Sequence, residues 1–238
     1  SSDVCSSDLW LLPLEAIAAV LTLLITVLLL AGVISRYVFG YPLVWSEETV
    51  SIAFIWLTML GAAIALDRQE HLRLNLFVDM LPPALRLKAQ ALAQVLVATL
   101  LVLLLKPAYE YAQDEWFIRT PALDLPNTIR VGSIALGLVL MLVMVAVQAL
   151  RQSRVPDLIA SAGLVLVVGI VAGQMGDFWG QLGLLNIPLF LIGLVGLCLV
   201  LGVPIAFCFA LGASCYLALS TQVPLTVVIG RMDEGMSS

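Results

Sequence analysis

The sequence predicts an all-α integral membrane protein, and three observations carry that expectation. Of 238 residues, 62% are hydrophobic and only 11% charged, with a mean hydropathy of +1.10. Soluble domains average about half apolar and about a quarter charged. The few charges are spaced to leave apolar runs close to the ~20 residues that a helix needs to cross a ~30 Å hydrocarbon core. Those runs are continuously apolar, whereas a membrane barrel alternates. Disorder and coiled coil are excluded by the same lack of charge. Nucleic-acid binding is excluded by a net charge of −5, with nine Arg and two Lys scattered singly.

The elements follow in order. Ser1 to Leu9 is polar and has neither a starting Met nor a basic n-region. It resembles translated adaptor sequence and is expected to be a non-native scar (residues 1–9). Charge-free runs then give five spans: Ala16 to Ser35, Thr49 to Leu66, Ala89 to Leu105, Val131 to Leu150 and Leu158 to Gly176. From Phe178 to Gly230 there are 53 residues without a formal charge. As one helix they would reach roughly 80 Å, so the run must fold back. Gly202-Val203-Pro204 supplies the break, because proline lacks the N–H and clashes with the preceding turn. The expectation is a Gly/Pro-broken hairpin, Leu189 to Leu201 and Ile205 to Leu219, whose short arms suit a transporter core.

Two connections look structured. Leu72 to Leu81 has apolar residues at helical spacing and is expected to be an interfacial helix. Tyr109, Tyr111, Trp116 and Phe117 read as an aromatic belt at the headgroups. The loops after the second and fourth spans carry six Lys/Arg (Arg68, Arg73, Arg86, Lys88, Arg151, Arg154). The opposite loops carry four (Arg36, Lys106, Arg119, Arg130). Positive residues favour the cytoplasmic side, which places the N-terminus and the Arg151 loop inside.

Catalytic constellations are scarce. His71 is the single histidine, too few for bis-histidine haem. No H-E-x-x-H or phosphate-binding loop occurs. Gly212-Ala213-Ser214 matches a serine-protease string, but no histidine follows it to act as base. Cys198, Cys208 and Cys215 lie in apolar stretches without metal-ligand spacing, and no metal site is expected. No ionisable side chain falls deep in a span, where ion-binding carboxylates of transporters usually sit. Glu47 and Glu48, after Trp45-Ser46, open the second span. Ser46 is expected to cap that helix, and the acids to complement its dipole or clamp a neighbouring subunit. Arg68, His71 and Arg73 end the same helix and read as inner-surface anchors. Gly61/Ala65 and Ser133/Gly137 are small-x-x-x-small pairs that permit close helix approach.

Trp45-Ser46-Glu47-Glu48, Gly61-Ala62-Ala63, Arg68-x-x-His71-Leu72-Arg73-Leu74-Asn75 and Thr120-Pro121-Ala122-Leu123-Asp124-Leu125-Pro126 together resemble a known family. It is the small (DctQ-type) membrane subunit of tripartite ATP-independent periplasmic (TRAP) transporters. Asn127 stands where an aromatic is usual, and Asn75 where Asp is usual. Leu201-Gly202-Val203-Pro204-Ile205-Ala206-Phe207 and Gly230-Arg231-Met232-x-x-Gly235-Met236 resemble the opening of the large (DctM-type) subunit. The resemblance implies a small–large fusion cut shortly after its large part begins. A small-subunit domain would cover 10–154, a connector helix 155–177, and the start of a transport domain 178–238. It implies a scaffold in the bacterial inner membrane, not an enzyme and without cofactor. The complete transporter would import a small organic acid, carboxylate or sialic-acid-like, on a cation gradient, sodium by resemblance. Its partners would be the large subunit, a periplasmic binding protein and the bilayer. Trp45, Glu47 and Glu48 would contact a partner, and Gly202 and Pro204 would shape the hairpin. The substrate-binding residues are unknown from the sequence. A four-helix anchor of a redox enzyme is the alternative, and a stand-alone channel a third reading.

Overall fold

A computed structural model describes residues 2–68 and 82–237. Helix α1 (Ser2–Ile34) runs into a π-helical turn, Ser35–Phe39, and α2 is Val44–Asp67. Helix α3 (Pro83–Asp114) ends in a 3-10 turn, Glu115–Phe117, before α4 (Thr128–Gln152) and α5 (Val155–Gln174). Next comes α6 (Gly176–Leu182), then irregular helical turns over Gly183–Leu185, Asn186–Pro188 and the π-helical Leu189–Leu194, then α7 (Val195–Val200). Helices α8 (Ile205–Ser220) and α9 (Thr226–Ser237) complete the order. Among the described residues there is no strand, only an isolated bridge between Arg119 and Pro126.

Six of these helical stretches are long and apolar enough to cross a membrane: Leu11–Phe39, Val44–Asp67, Leu85–Phe117, Thr128–Gln152, Val155–Gln174 and Phe178–Val200. The chain is thus an all-helical, multi-pass membrane protein. Two boundaries differ from the sequence expectation. The third helix does not stop before Lys106 but continues through Lys106 and Pro107 to Asp114. A 32-residue helix is about 48 Å long, so its end emerges from a ~30 Å core without unwinding, and charge marks the membrane edge rather than the helix end. The first arm of the hairpin is not the short Leu189–Leu201. Pro188 interrupts the regular pattern without ending the helix, and the run from Phe178 spans 23 residues. The second arm, α8, is short as expected, at 16 residues.

The chain forms two compact units. The first holds the residues up to Ala65, Leu105–Leu140 and those from Ile229 on; the second holds Leu66–Leu104 and Met141–Val228. The division therefore falls inside α2, α3, α4 and α9. In the first unit Ile55, Ala63, Ala108, Val131, Ile134 and Ile229 are wholly buried. Gly137 lies so close to Met59 that a Cβ there would stand 2.8 Å from the Met59 Cβ. In the second unit the end of α2 is satisfied by Gln148, whose amide donates to the Leu66 and Asp67 carbonyls at 3.1 Å each. Gln94 accepts from the Ser153 hydroxyl at 2.8 Å. Rings meet in sequence there, Trp179 tilted against Phe190 at 5.3 Å and Phe190 edge-to-face with Tyr216 at 6.3 Å. Gly212 faces Val195 and the Phe190 carbonyl at distances that leave no room for a Cβ.

The exposed surface is apolar along whole helices. On α1 Leu23 is 65% and Leu30 60% exposed, and on α5 Ile159 is 68% exposed. Each such side chain in water would forfeit about 1.5–3 kcal/mol relative to burial. Lipid removes that cost.

Candidate functional site

The first unit gathers the polar groups of the two family-like motifs at the start of α2. The chain enters α2 through a tight turn. Gly40 takes φ 71, a left-handed value that glycine adopts without Cβ strain. The Tyr41 amide then returns to the Ser35 carbonyl at 3.2 Å, and the Ser35 hydroxyl donates to the Tyr41 carbonyl at 2.6 Å. This brings Arg36 against Glu47, an ion pair whose side chains are both more than half exposed.

Ser46 does not cap α2 as its sequence position suggests. The helix already begins at Val44, and the Ser46 hydroxyl instead donates back to the Leu43 carbonyl at 2.8 Å. The capping expectation placed the helix start at the first acid. The true start, Val44, lies three residues earlier, so Ser46 is inside the first turn, buried, with its hydroxyl beside Gly32.

Glu48 has a more specific role. Its Oε2 accepts from the backbone amides of Ala122 at 2.7 Å and Leu123 at 3.2 Å. Two successive amides converging on one carboxylate form an anion-binding nest. The nest belongs to a closed loop between α3 and α4. The Thr120 amide donates to the Leu125 carbonyl at 2.9 Å, and the Leu125 amide to the Thr120 hydroxyl at 3.1 Å. Arg119 donates to the Asp124 carbonyl at 3.1 Å, and Asp124 is left-handed at φ 50. The Trp-Ser-Glu-Glu string and the Thr-Pro-Ala-Leu-Asp-Leu-Pro string, 74 residues apart at Glu48 and Ala122, are thus one structural feature. A cavity of about 200 Å³ opens beside it, its wall mixing Glu48, Arg119 and Arg130 with apolar Ile52, Ile118 and Pro121. Glu48 Oε1 is buried there without a hydrogen-bond partner.

Around this feature the helices are tied by single bonds. The Trp56 indole donates to the Ile129 carbonyl at 3.0 Å, and the Thr128 hydroxyl to the Ala112 carbonyl at 2.8 Å. Asn127 donates to Glu115, and its own carbonyl receives the Arg130 and Val131 amides that begin α4. The Asn127 side chain thus ties the start of α4 to the end of α3. Arg130 pairs with Asp233 of α9 at 2.6 Å. Sequence reasoning did not single out that pair. A signal was present, since a cation in the first turn of a helix opposes the helix dipole and calls for an acidic partner.

The other sequence-selected residues make none of these bonds. Trp45 is about half exposed, as are Tyr109 and Trp116, and Phe117 more so. Arg68 closes α2, while His71 and Arg73, with the expected interfacial helix, lie outside the described residues. Gly202 adopts φ 79. Its amide donates to the Leu199 carbonyl at 3.0 Å and the Val203 amide to the Cys198 carbonyl at 3.1 Å, the paired bonds of a Schellman helix stop. The Pro204 carbonyl then receives the Phe207 and Cys208 amides and starts α8. Ser214 is buried with no hydrogen-bond partner for its hydroxyl, and Gly212 makes the close contact noted above. Both belong to helix packing. Among the described residues no group of three or more His, Cys, Asp or Glu converges on one point.

Six membrane-length helices, joined between α3 and α4 by a carboxylate-clamped loop, define a multi-pass membrane protein. Residues 11–155 match the family model described as tripartite ATP-independent periplasmic transporters, DctQ component, and the chain belongs to that family. It is a TRAP transporter subunit. It is 27% identical over 107 residues to the sialic acid TRAP transporter small permease protein SiaQ of Vibrio cholerae, covering 45% of this chain and 62% of that protein. It is 28% identical over 86 residues to the C4-dicarboxylate TRAP transporter small permease protein DctQ of the same species, 36% of this chain and 37% of that one. It is also 36% identical over 70 residues to the sialic acid TRAP transporter permease protein SiaT of Haemophilus influenzae, 29% of this chain and 11% of that protein. The chain spans from about a tenth to about three fifths of the length of these relatives.

Proposed function

We propose that the chain is the scaffold part of a secondary active TRAP transporter, with residues 10–154 as its small-subunit domain. Residues 155–177 connect it to the beginning of a large-subunit domain, 178–238. The complete transporter imports a small organic acid, a carboxylate or sialic-acid-like compound, across a bacterial inner membrane. A cation gradient, sodium in our reading, drives it, and a periplasmic binding protein delivers the substrate. Trp45, Glu47 and Glu48 lie at the face that meets the large subunit or the binding protein. Arg68, His71 and Arg73 hold the inner surface, and Gly202 and Pro204 set the hairpin. The small-subunit part performs no chemistry and binds no cofactor.

The observation that carries this reading is where the charge sits. The spans offer no ionisable side chain at mid-membrane depth with which to hold an ion. Glu48 is spent on fixing a loop. Such a unit can brace a moving partner but has little to move solute with. The family match favours it over the redox-anchor alternative.

Reconstitution tests it. Liposomes holding this chain alone should show no uptake of labelled organic acid. Liposomes holding the intact transporter, with its binding protein and an inward sodium gradient, should show uptake that is lost when the small-subunit part is removed. Uptake by the chain alone, or uptake indifferent to its removal, overturns the proposal.

A further inference from the structure

Helix α9 lies at the far end of the chain from α4, yet from Ile229 on it belongs to the same compact unit. Its inward side is specific. Ile229 is wholly buried, a Cβ placed on Gly230 would come within 3.9 Å of the Tyr111 ring, and Asp233 is 3% exposed. Its outward side carries Arg231 and Glu234, paired with each other at 2.7 Å and both largely exposed. Asp233 Oδ2 receives Arg130 Nη2 at 2.6 Å across 103 residues of sequence. Arg130 Nε and Asp233 Oδ1 are both buried without partners, so the pair has room to tighten into the two-bond geometry that guanidinium and carboxylate favour. A buried carboxylate is costly unless a cation meets it or it takes up a proton.

The Arg130–Asp233 pair itself requires that α4, α5 and the Phe178–Ser220 hairpin together return the chain to the side on which Arg130 lies.

We propose that Arg130 and Tyr111 of the small-subunit domain form a docking notch for α9, and that the Asp233 carboxylate is the key that seats it. Resting on the reading of 178–238 as the start of the large subunit, this assigns the notch as a contact by which the scaffold grips its transport partner. The occupant is a helix presenting an aliphatic residue and an aspartate at positions i and i+4, as Ile229 and Asp233 do. The notch is satisfied within one chain here, and the same surface would take such a helix from a separate large subunit.

Hydrogen exchange by mass spectrometry on the full chain in nanodiscs tests the seating directly. Peptides covering 226–237 should exchange slowly in the parent. Arg130→Asp and Asp233→Arg should each accelerate that exchange about tenfold or more, and the double exchange of charges should bring it back to within about threefold of the parent. Asp233→Asn, nearly isosteric, should give a smaller acceleration in the same peptides, and peptides from α2 should keep the parent's rate in all variants. Exchange that is indifferent to both single charge reversals and to Asp233→Asn overturns the proposal. So does acceleration that the double exchange does not reverse. The outcome is separable from the transport reading: charge-dependent protection of α9 would stand even if reconstituted liposomes showed no uptake, and uptake with charge-indifferent exchange would remove the notch alone.

Discussion

Glu48 is the residue on which the loop between α3 and α4 depends. Its carboxylate accepts two amides that have no other partner of comparable strength in that turn. Hydrogen bonds to a charged group contribute about 1.5–3 kcal/mol when sheltered, and partial exposure here brings that toward about 1 kcal/mol. Glu48→Ala should therefore raise amide exchange at Ala122 and Leu123 by about fivefold, with Glu48→Gln intermediate because one acceptor oxygen survives. Glu47, by contrast, sits in an exposed pair with Arg36. Glu47→Gln should shift the thermal midpoint little, since exposed pairs contribute about 0–1 kcal/mol. At Asp233, burial lifts the carboxyl above its ordinary value and Glu115 and Glu234 push the same way, while Arg130 pulls it down. A raised value means that the fold prefers the protonated acid, so this group's contribution is present in acid and lost as pH rises through the raised value. Arg130→Gln removes the opposing pull and widens that window toward neutrality. It should cost about 2 kcal/mol near neutral pH, less than for a fully buried pair because Arg130 is 23% exposed. Thermal unfolding should show recovery on mild acidification, and Asp233→Asn in the same background should abolish the pH dependence of that recovery.

At the scale of elements, the two small-x-x-x-small pairs separate cleanly. Gly137 meets the Met59 side chain at distances a Cβ cannot share, including the stiff Met59 Cβ at 2.8 Å. Gly61 has nothing within 4 Å of where a Cβ would stand. Gly137→Ala should therefore destabilise by about 1–3 kcal/mol through overpacking, whereas Gly61→Ala should be neutral or gain a few tenths of a kcal/mol from helix propensity. Detergent-solubilised thermal melts of the two variants distinguish the cases. The sequence pattern is the same for both, and only the partner helix decides which glycine is needed. The same limit explains what was legible. Membrane-length helices, their order and the Gly202–Pro204 break follow from local composition, because lipid leaves the backbone few alternatives. Helix ends were less so. Lys106 looked like a terminus and Ser46 like a cap, but a helix may run on past the bilayer edge and a serine may turn back to a carbonyl. The tie between Glu48 and Ala122, and that between Arg130 and Asp233, depend on tertiary closure across 74 and 103 residues. A single sequence supplies the two halves of each and no distance between them.

For the whole molecule, the decisive quantity is which side of the bilayer each loop faces. The Lys/Arg count, six against four, puts the Arg36 turn and the Glu48-clamped loop outside and the α4–α5 connection with Arg151 and Arg154 inside. The Arg130–Asp233 pair then puts α9 on the side of the clamped loop. A cysteine at Ala122, whose side chain is exposed in the loop, should react with a membrane-impermeant maleimide added to intact cells or right-side-out vesicles. A cysteine at Val155, exposed at the start of α5, should react only after permeabilisation. Both variants belong in a background with Cys5, Cys198, Cys208 and Cys215 replaced by alanine. The reverse pattern would invert the molecule. It would put the clamped loop and the α9 notch in the cytoplasm, out of reach of any periplasmic binding protein, and would confine their role to gripping the large subunit.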